Sequence, residues 1–411
     1  MITLTKKNVV SYIREHVPSI ELDEPVKVYQ IGDGELSPDV EGDGYCNYVF
    51  SVSDGEHSVI VKQSAPVLRR RGRILTPTRN RYEYEIMKVR SAIVPQYVPK
   101  LYHVDFDNNI FIMEDVSNLK LVRFEFNKDH QLPKLAYQGA EYLAATHFYT
   151  SEFYLPTKQF RSLLAHFMNS ELRTVMEDGI FLGIFGADDF DAACGQEFVD
   201  YCKYVFEDPV LKYQRYKLRH LFMSKSETLI HGDFHTSNIF ADDDNLKVID
   251  MEYTFGAPFS YDLGFILANI ISQFCSAAFR PYEQENERRE CLAYLLSLFK
   301  MLYTNYIGFF FEYWDKDAKI EYKVTDGYKE TIALDILREC LGFAACVNFS
   351  RISGTMDTAD FDCIEDNELR SKAKFLAVDI DVNLFRKWSD YNDIDQVLDD
   401  LLLLMENRKN I

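Results

Sequence analysis

The 411-residue sequence contains little glycine, little proline and little basic charge. Glycine and proline together occupy only 30 positions and hydrophobic residues make up 47%, so a packed globular protein is expected. The formal net charge is −20. This balance argues against a nucleic-acid partner, because such proteins neutralise phosphates with lysine and arginine. The acidity is typical of a solubilising surface or of a site for a cationic substrate.

Several diagnostic motifs are also missing. No G-x-x-x-x-G-K-[ST] segment exists, which excludes a P-loop enzyme, and neither G-x-S-x-G nor H-E-x-x-H occurs. The eight cysteines include no C-x-x-C pair and most lie in apolar stretches, which predicts buried, reduced thiols. The N-terminal residues lack the apolar segment of a signal peptide, and no transmembrane helix is expected. We therefore predict a cytoplasmic protein that does not bind a membrane.

Two regions of different character follow each other along the chain. Up to about residue 115, strand-like segments alternate with turns such as Asp54-Gly55, and one helix is predicted at residues 78–93. Beyond it, helical periodicity dominates, with one β-like interruption at residues 229–250. The pattern predicts an α+β, bilobal fold: a small β-rich N-terminal lobe (1–115), a hinge near 114–122, and a larger, mainly helical C-terminal lobe (116–411) with the catalytic and metal loops. The helices predicted in that lobe are 133–149, 160–176, 196–223, 263–274, 285–311, 328–349 and 369–388.

The segment IHGDFHTSNIF, residues 230–240, holds the strongest catalytic signal. Phosphoryl transfer needs a carboxylate that accepts the proton of the substrate hydroxyl and oxygen ligands that hold magnesium on the phosphates. Asp233 supplies the first, while Asn238 and, after a short strand, Asp250 supply the second. This order predicts an ATP- and Mg²⁺-dependent kinase in which Asp233 is the catalytic base and Asn238 and Asp250 bind the metal.

Other residues of the same segment are expected to shape the loop. Gly232 permits a tight backbone turn, and His231 can hydrogen-bond across it. His231 and His235 are four residues apart, but a loop rather than a helix carries them. A zinc site is therefore not expected.

Lys62 ends the apolar strand Val59-Ile60-Val61, where a kinase places the lysine that binds nucleotide phosphates. Glu83, on the next predicted helix, is a candidate ion-pair partner of Lys62, and Glu85 is a near-equal alternative. Both possibilities remain open at the level of the sequence.

Two further segments are candidates for nucleotide contacts. A glycine-rich loop is expected to cover the phosphates, because glycine lets backbone N–H groups approach them closely. The chain offers residues 32–34 and the triplet Gly42-Asp43-Gly44, and we favour the triplet because it directly precedes Asn47 and a strand. Asn47 is itself predicted to contact the nucleotide. Backbone groups between Glu114 and Val116, at the lobe junction, are predicted to bind the adenine edge.

At this level of detail the chain resembles a known group of enzymes. The segments that carry the resemblance are IGDG, NYVF, VKQSAP around Lys62, MEDVSNLK at 113–120, TLIHGDFHTSNIF at 228–240, KVIDMEYTFGAPFSYDLG at 247–264 and GFAAC at 342–346. They are similar to those of the aminoglycoside phosphotransferase and choline kinase-like superfamily, and most closely to the 5-methylthioribose kinase family.

The resemblance implies a protein-kinase-like fold and ATP-dependent phosphorylation of a ribose C1 hydroxyl in methionine salvage. It also implies that Asp233 is the base, that Asp250 and Glu252 bind magnesium, that Asp262 steadies the catalytic loop, and that a homodimer forms. One departure concerns the acceptor: where methylthioribose kinases carry twin arginines, this chain has Ser350-Arg351. A single Arg351 can still stabilise transferring charge.

Other acceptors and one non-enzymatic role follow as alternatives. A different 5-modified pentose fits the same chemistry, and the acidic composition suits an aminoglycoside or amino alcohol. A sugar pocket would place Arg351 toward the acceptor, whereas a cation site would be ringed by Asp and Glu. An inactive nucleotide-binding module is a further alternative, although Lys62 and Asp233 are both present.

Overall fold

The computed structural model describes residues 2–32, 47–65, 74–183, 194–354 and 359–410. The chain folds into two compact units. Unit 1 comprises Met1–Val122, Asn169–Leu172 and Ser237–Thr254, and unit 2 comprises Arg123–Met168, Arg173–Thr236 and Phe255–Ile411. The domain boundary predicted after residue 115 stays a prediction.

Unit 1 is built on a five-stranded antiparallel sheet with the order β1-β2-β3-β5-β4. Its elements are α1 (Val9–His16), β1 (Lys27–Gln30), β2 (Tyr48–Ser53), β3 (Ser58–Gln63), α2 (Arg79–Ile93), β4 (Leu101–Asp105) and β5 (Ile110–Glu114). Val59 and Val61 of β3 are fully buried in one hydrophobic cluster with Val9 and Ile13 of α1. Because side chains alternate along a strand, Lys62 projects from the opposite face of the central strand.

A second, three-stranded sheet of unit 1 has the order β6-β8-β9. Its strands are β6 (Lys120–Leu121), β8 (Ile239–Ala241) and β9 (Leu246–Val248). A turn at Asp242–Asn245 closes the β8–β9 hairpin, with Asp242 N–H donating to the Asn245 carbonyl at 3.0 Å. The hairpin matters for function because Asn238 directly precedes it and Asp250 follows its second strand.

Unit 2 is mainly helical. Its elements are α3 (Val122–Asn127), α4 (Leu135–Tyr149), α5 (Thr157–His166), α6 (Ser170–Phe181), α7 (Gln196–Glu207), α8 (Pro209–Ser224), β7 (Thr228–Leu229), β10 (Gly256–Ala257), α9 (Ser260–Phe279), α10 (Glu285–Asp317), α11 (Ile320–Lys323), α12 (Tyr328–Ile352), α13 (Asn367–Lys387) and α14 (Ile394–Lys409). Both α3 and α6 begin at residues that belong to unit 1. The prediction of an α+β fold with a small β-rich part and a large helical part is confirmed.

Helix α9 is the core of unit 2, and every one of its residues is buried. Among the described residues it is the one helix long and apolar enough to cross a membrane by length and composition. Its packing against α12 is close: a Cβ at Gly264 would lie 2.6 Å from the carbonyl oxygen of Cys340. The apolar side chains of α9 are therefore buried against other parts of the protein.

Two of the predicted helices are each divided in the structure. The predicted helix 196–223 is interrupted at Asp208-Pro209, because proline has no N–H for a continuing helix and Asp208 caps the N–H groups of Val210 and Leu211 at 2.9 Å. The predicted helix 160–176 is interrupted near Asn169, whose backbone has a positive φ of 41°.

The predicted cysteine state agrees with the described part of the chain, where seven cysteines are free thiols and five of them are buried.

Candidate active site

In unit 1, Lys62 forms a buried ion pair with Glu83. Strand β3 brings Lys62 to the sheet face, and helix α2 carries Glu83, whose side chain is fully buried. The Lys62 ammonium donates to Glu83 Oε1 at 2.8 Å. Glu85 instead accepts from Arg81 Nε at 3.0 Å on the exposed side of α2. The structure thus joins Lys62 to Glu83 and gives Glu85 a different partner.

Lys62 also pairs with Asp250, which lies in an acidic cluster. Carboxylate oxygens of Glu83, Asp250 and Glu252 all lie within 4.8 Å of one another. Burial raises the pKa of Glu83, and the neighbouring carboxylates add to the rise while Lys62 opposes it. Burial by itself favours the neutral amine of Lys62, but the carboxylates of Asp250 and Glu83 outweigh it and raise the pKa of Lys62, which stays charged.

The donor chemistry of this cluster fits a hard divalent cation. Its ligand atoms are all carboxylate oxygens, the type that magnesium, calcium and manganese prefer. Burial and the Asp250 charge raise the pKa of Glu252. Because the buried carboxylates of Glu83 and Glu252 and the half-buried carboxylate of Asp250 face one another, a bound cation would compensate a repulsion that Lys62 and Arg79 offset only in part.

Glu252 is held by residues that the sequence did not single out for this purpose. Its Oε2 accepts from Asn47 Nδ2 at 2.9 Å and lies 3.3 Å from Arg79 Nε. Arg79 also donates to Asn47 Oδ1 at 2.6 Å. The backbone carbonyl of Glu252 accepts from Asn169 Nδ2 at 2.8 Å. Asn47, predicted to contact nucleotide, thus contacts the acidic cluster.

The backbone between β8 and Asp250 orients the predicted metal ligands. Asn238 ends a 3₁₀ turn, and its carbonyl accepts from Ile249 N–H at 3.0 Å. Asp250 has a positive φ of 60°, a conformation that is rare outside glycine and that concentrates at functional sites. Asn238 is therefore tied to the segment that carries Asp250, although the three carboxylates of the cluster come from Glu83, Asp250 and Glu252.

The predicted adenine-binding segment follows β5. Glu114 N–H donates to the Lys100 carbonyl at 2.8 Å, and its carboxylate accepts from Lys247 Nζ at 3.2 Å. The Val116 carbonyl accepts from Leu119 N–H at 2.9 Å. In this segment, the Glu114 N–H and the Val116 carbonyl therefore already have hydrogen-bond partners within the protein. The preferred phosphate loop Gly42-Asp43-Gly44 lies outside the described residues.

In unit 2, Asp233 lies on a loop held by an antiparallel pair of short strands. Ile230 N–H, after β7, donates to the Phe255 carbonyl at 3.1 Å. Gly232 has a φ of 86°, which glycine adopts without strain. Asp262, in the first turn of α9, accepts from the N–H groups of His231 at 2.5 Å and Gly232 at 2.9 Å. These two bonds fix the backbone immediately before Asp233.

The Asp233 carboxylate is surrounded by cationic or potentially cationic groups. Burial raises its pKa, but His235, Arg351 and His231 together outweigh burial and hold the pKa of Asp233 well below its usual range. His235 Nε2 lies 3.3 Å from Asp233 Oδ2. Arg351, on the last turns of α12, also lies over the Phe265 ring, 5.9 Å from its centroid. The Asp233 carboxylate is therefore ionised at neutral pH.

Sequence reasoning missed two supports of this loop. His147 Nε2 contacts Asp262 Oδ2 at 3.1 Å, and its Nδ1 contacts the Tyr306 hydroxyl at 3.0 Å. Asn269 Oδ1 accepts from the Thr236 hydroxyl at 2.9 Å. Both His147 and Asn269 are buried polar residues on otherwise apolar helices, which is the signal that could have identified them.

Comparison with known proteins identifies relatives of this chain. Residues 42–295 match the phosphotransferase enzyme family. A methylthioribose kinase from Bacillus cereus (strain G9842) is 30% identical over 397 residues, covering 95% of both chains. A methylthioribose kinase from Geobacillus thermodenitrificans (strain NG80-2) is 33% identical over 337 residues, covering 81% of this chain and 82% of the other. The solved choline kinase from Cryptosporidium parvum Iowa II is 12% identical, with a TM-score of 0.48 over 94% of this chain and 97% of the other.

The family match spans more than half of the chain, and the two curated relatives cover most of it. The chain therefore belongs to the phosphotransferase enzyme family and is a kinase that phosphorylates a hydroxyl group of a small molecule.

Proposed function

We propose that this kinase transfers the γ-phosphoryl group of ATP, with Mg²⁺, to the C1 hydroxyl of 5-methylthioribose. Two curated relatives at 30% and 33% identity carry the name methylthioribose kinase, which supports the acceptor. The buried oxygen cluster beside Lys62 supports a metal-bound nucleotide. In the reaction the acceptor oxygen forms a bond to the γ-phosphorus, the bond to the β,γ-bridging oxygen breaks, and ADP leaves.

Unit 1 would bind the nucleotide and the metal. Asp250 and Glu252 would hold the cation, with Asn238 as an additional oxygen ligand, and a bound magnesium ion would neutralise phosphate charge. The Lys62 ammonium would then leave Asp250 and bind phosphate oxygens instead. Its ion pair with Glu83 would hold the ammonium in place. The Glu114 carbonyl and the Val116 N–H would bind the adenine edge, because the Glu114 amide is already engaged.

Asp233 would accept the proton of the attacking hydroxyl. Its low pKa keeps it ionised at neutral pH, so it orients the hydroxyl before transfer and takes the proton as the new bond forms. Arg351 would stabilise negative charge near the acceptor. A cation adjacent to Asp233 supports a sugar acceptor over an aminoglycoside or amino alcohol, because a positively charged acceptor would be repelled by it.

The single observation that carries the proposal is the grouping of Lys62, Glu83 and Asp250, which joins a buried cation to potential metal ligands. The test is an ADP-release screen over methylthioribose, other 5-modified pentoses, choline and aminoglycosides, with and without Mg²⁺. We expect methylthioribose to give the highest kcat/KM. A better rate with another acceptor class would overturn the assigned substrate.

The role of Asp233 needs a separate comparison. Asp233→Asn is expected to lower kcat by roughly 10³- to 10⁴-fold, because general-base catalysis contributes about that much at its upper range. ATP affinity, measured by calorimetry, should stay within about threefold. Near-normal turnover of this variant would refute the base assignment. The cytoplasmic location predicted from the sequence and the homodimer that the family resemblance implies are also proposals, and fractionation and sedimentation test them.

A further inference from the structure

Two buried residues of unit 1, Asn47 and Arg79, hold the side chain of Glu252, which is also buried. Asn47 Nδ2 donates to Glu252 Oε2 at 2.9 Å, and Arg79 Nε forms an ion pair with the same oxygen at 3.3 Å. Arg79 Nη2 donates to Asn47 Oδ1 at 2.6 Å. Each of the three side chains therefore contacts the other two, and we call Asn47 and Arg79 the Glu252 clamp.

The orientation of the Asn47 amide follows from its other contacts. Its Oδ1 accepts from Arg79 Nη2 and from the Ser64 hydroxyl, which lies 3.0 Å away. Because a guanidinium can only donate, the oxygen of the amide must face Arg79, and the NH₂ group is left to face Glu252. Asn47 is thereby fixed as a hydrogen-bond donor to Glu252 Oε2.

Arg79 is anchored to the backbone on its other side. Its Nη1 donates to the carbonyls of Ala65 at 3.1 Å and Thr76 at 3.0 Å. Because the guanidinium is planar and rigid, fixing one edge of it also fixes the edge that faces Glu252. Arg79 is the first residue of α2, and Glu83 lies about one turn further along that helix. Two carboxylates of the acidic cluster are therefore held relative to the same helix.

Both contacts of the clamp fall on one oxygen of Glu252. They involve Oε2, and among the residues that the structure describes no hydrogen bond is formed with Oε1. A ligand atom of Glu252 lies within 4.8 Å of carboxylate oxygens of Glu83 and Asp250. Because Oε2 already has two partners, Oε1 is the oxygen of Glu252 that is available to a cation.

We propose that Asn47 and Arg79 are positioning residues that restrict Glu252 to a one-oxygen contact with the metal and thereby favour Mg²⁺ over Ca²⁺. The inference rests on the proposed function, in which Glu252 is a metal ligand. Magnesium demands a near-ideal octahedral arrangement, whereas calcium takes roughly six to eight oxygens and can bind both oxygens of one carboxylate. A carboxylate with one oxygen held by the protein suits the first ion better than the second.

The experiment measures the binding of Mn²⁺ and Ca²⁺ to the full chain without nucleotide. Mn²⁺ replaces Mg²⁺ because both ions suit octahedral sites of oxygen ligands. Electron paramagnetic resonance of free Mn²⁺ gives its Kd, and displacement of bound Mn²⁺ by Ca²⁺ gives the Kd of Ca²⁺. We expect the wild type to bind Mn²⁺ at least about tenfold more tightly than Ca²⁺. Equal affinities in the wild type would overturn the proposed selectivity.

Asn47→Ser removes the amide donor and leaves the charges of the cluster unchanged. Glu252 can then turn both oxygens toward a cation. Mn²⁺ affinity should fall roughly 10- to 100-fold, as on loss of a group that orients a metal ligand, while Ca²⁺ affinity should stay within about threefold. Asn108→Ser is the control, because it removes an amide that donates to Asp105 instead. An unchanged ratio of the two affinities in Asn47→Ser would refute the clamp.

Arg79→Lys separates geometry from charge. Lysine keeps the positive charge but lacks the planar fork that contacts Asn47, Glu252 and the backbone at once, so the preference for Mn²⁺ should fall as in Asn47→Ser. Arg81→Lys, on the exposed side of the same helix, should behave like the wild type. A wild-type preference in Arg79→Lys would contradict the positioning role. Where Arg79→Lys does not fold, Asn47→Ser decides the proposal.

Glu252→Gln distinguishes this proposal from the proposed function. With Glu252 as a ligand, the substitution should weaken Mn²⁺ binding at least as much as Asn47→Ser does. Unchanged Mn²⁺ binding by Glu252→Gln would overturn the assignment of Glu252 as a ligand, and the clamp with it. Weaker binding by Glu252→Gln together with wild-type binding by Asn47→Ser would overturn the clamp alone.

Discussion

The ammonium of Lys62 lies 2.8 Å from Glu83 Oε1, and both side chains are buried. Glu85, two residues further along the same helix, pairs with Arg81 on the exposed side. The two glutamates of α2 therefore offer a matched pair of variants, because they share a helix and a charge but differ in burial and in partner.

Glu83→Gln should lower kcat/KM roughly 10- to 150-fold, because loss of a hydrogen bond to a charged group costs about 1.5–3 kcal/mol. Glu85→Gln should stay within about twofold, since exposed ion pairs contribute little. Steady-state kinetics with saturating acceptor and varied ATP distinguish the two. Equal effects of both substitutions would show that the Lys62–Glu83 pair does not support catalysis.

The metal requirement should depend on the acidic cluster. Asp250→Ala is expected to abolish metal-dependent turnover, and Glu252→Gln should raise the half-saturating Mg²⁺ concentration roughly 10- to 100-fold. ADP release measured against Mg²⁺ concentration provides the test. Asp244→Asn, in the exposed turn of the β8–β9 hairpin, is the control and should match the wild type. An unchanged Mg²⁺ curve for Glu252→Gln would exclude Glu252 as a ligand.

The acidic limb of the pH profile should respond to His235. Asp233 must be ionised to accept a proton; burial raises its pKa, while His235, Arg351 and His231 lower it more strongly. The His235→Gln substitution removes one of the groups that lower the pKa of Asp233, so this pKa rises. As a result, kcat/KM at pH 5 falls relative to kcat/KM at pH 7. His220→Gln, on the exposed surface of α8, should leave that ratio unchanged. The same ratio in wild type and His235→Gln would contradict this electrostatic role.

Asp262 should stabilise the fold at neutral pH and lose this contribution in acid. Burial raises its pKa, but the hydrogen bond and charge of His147, together with His231, outweigh burial and lower it. A depressed folded-state pKa gives stability that is present above the unfolded value of about 3.9 and lost as pH falls below it.

Asp262→Asn should therefore cost about 1–3 kcal/mol at pH 7, because one carboxylate oxygen that accepts a loop N–H becomes a donor. The difference between variant and wild type should shrink toward pH 3.5. Urea unfolding at both pH values measures this, and a pH-independent difference would contradict the assignment.

Much of the local organisation could be predicted because it depends on neighbours in sequence. The hairpin β8–β9 follows from two short apolar runs around an Asp/Asn turn, so the sequence placed Asn238 before it and Asp250 after it. The helix break at Asp208 was missed, although Pro209 is a clear signal, because apolar periodicity continues across it. Local patterns therefore predicted most elements, but they missed helices such as α1 and α14 and some boundaries.

The chain by itself determined which residue types carry the chemistry: a lysine at a strand end, an aspartate in the His-Gly-Asp loop, and acidic residues after a short strand. Tertiary structure decided which of them meet. Glu83 and Glu85 lie roughly 200° apart around α2, so only the packing of that helix selects the partner of Lys62. Likewise, Arg79, Asn47 and Glu252 are distant in sequence, and only folding brings their side chains together.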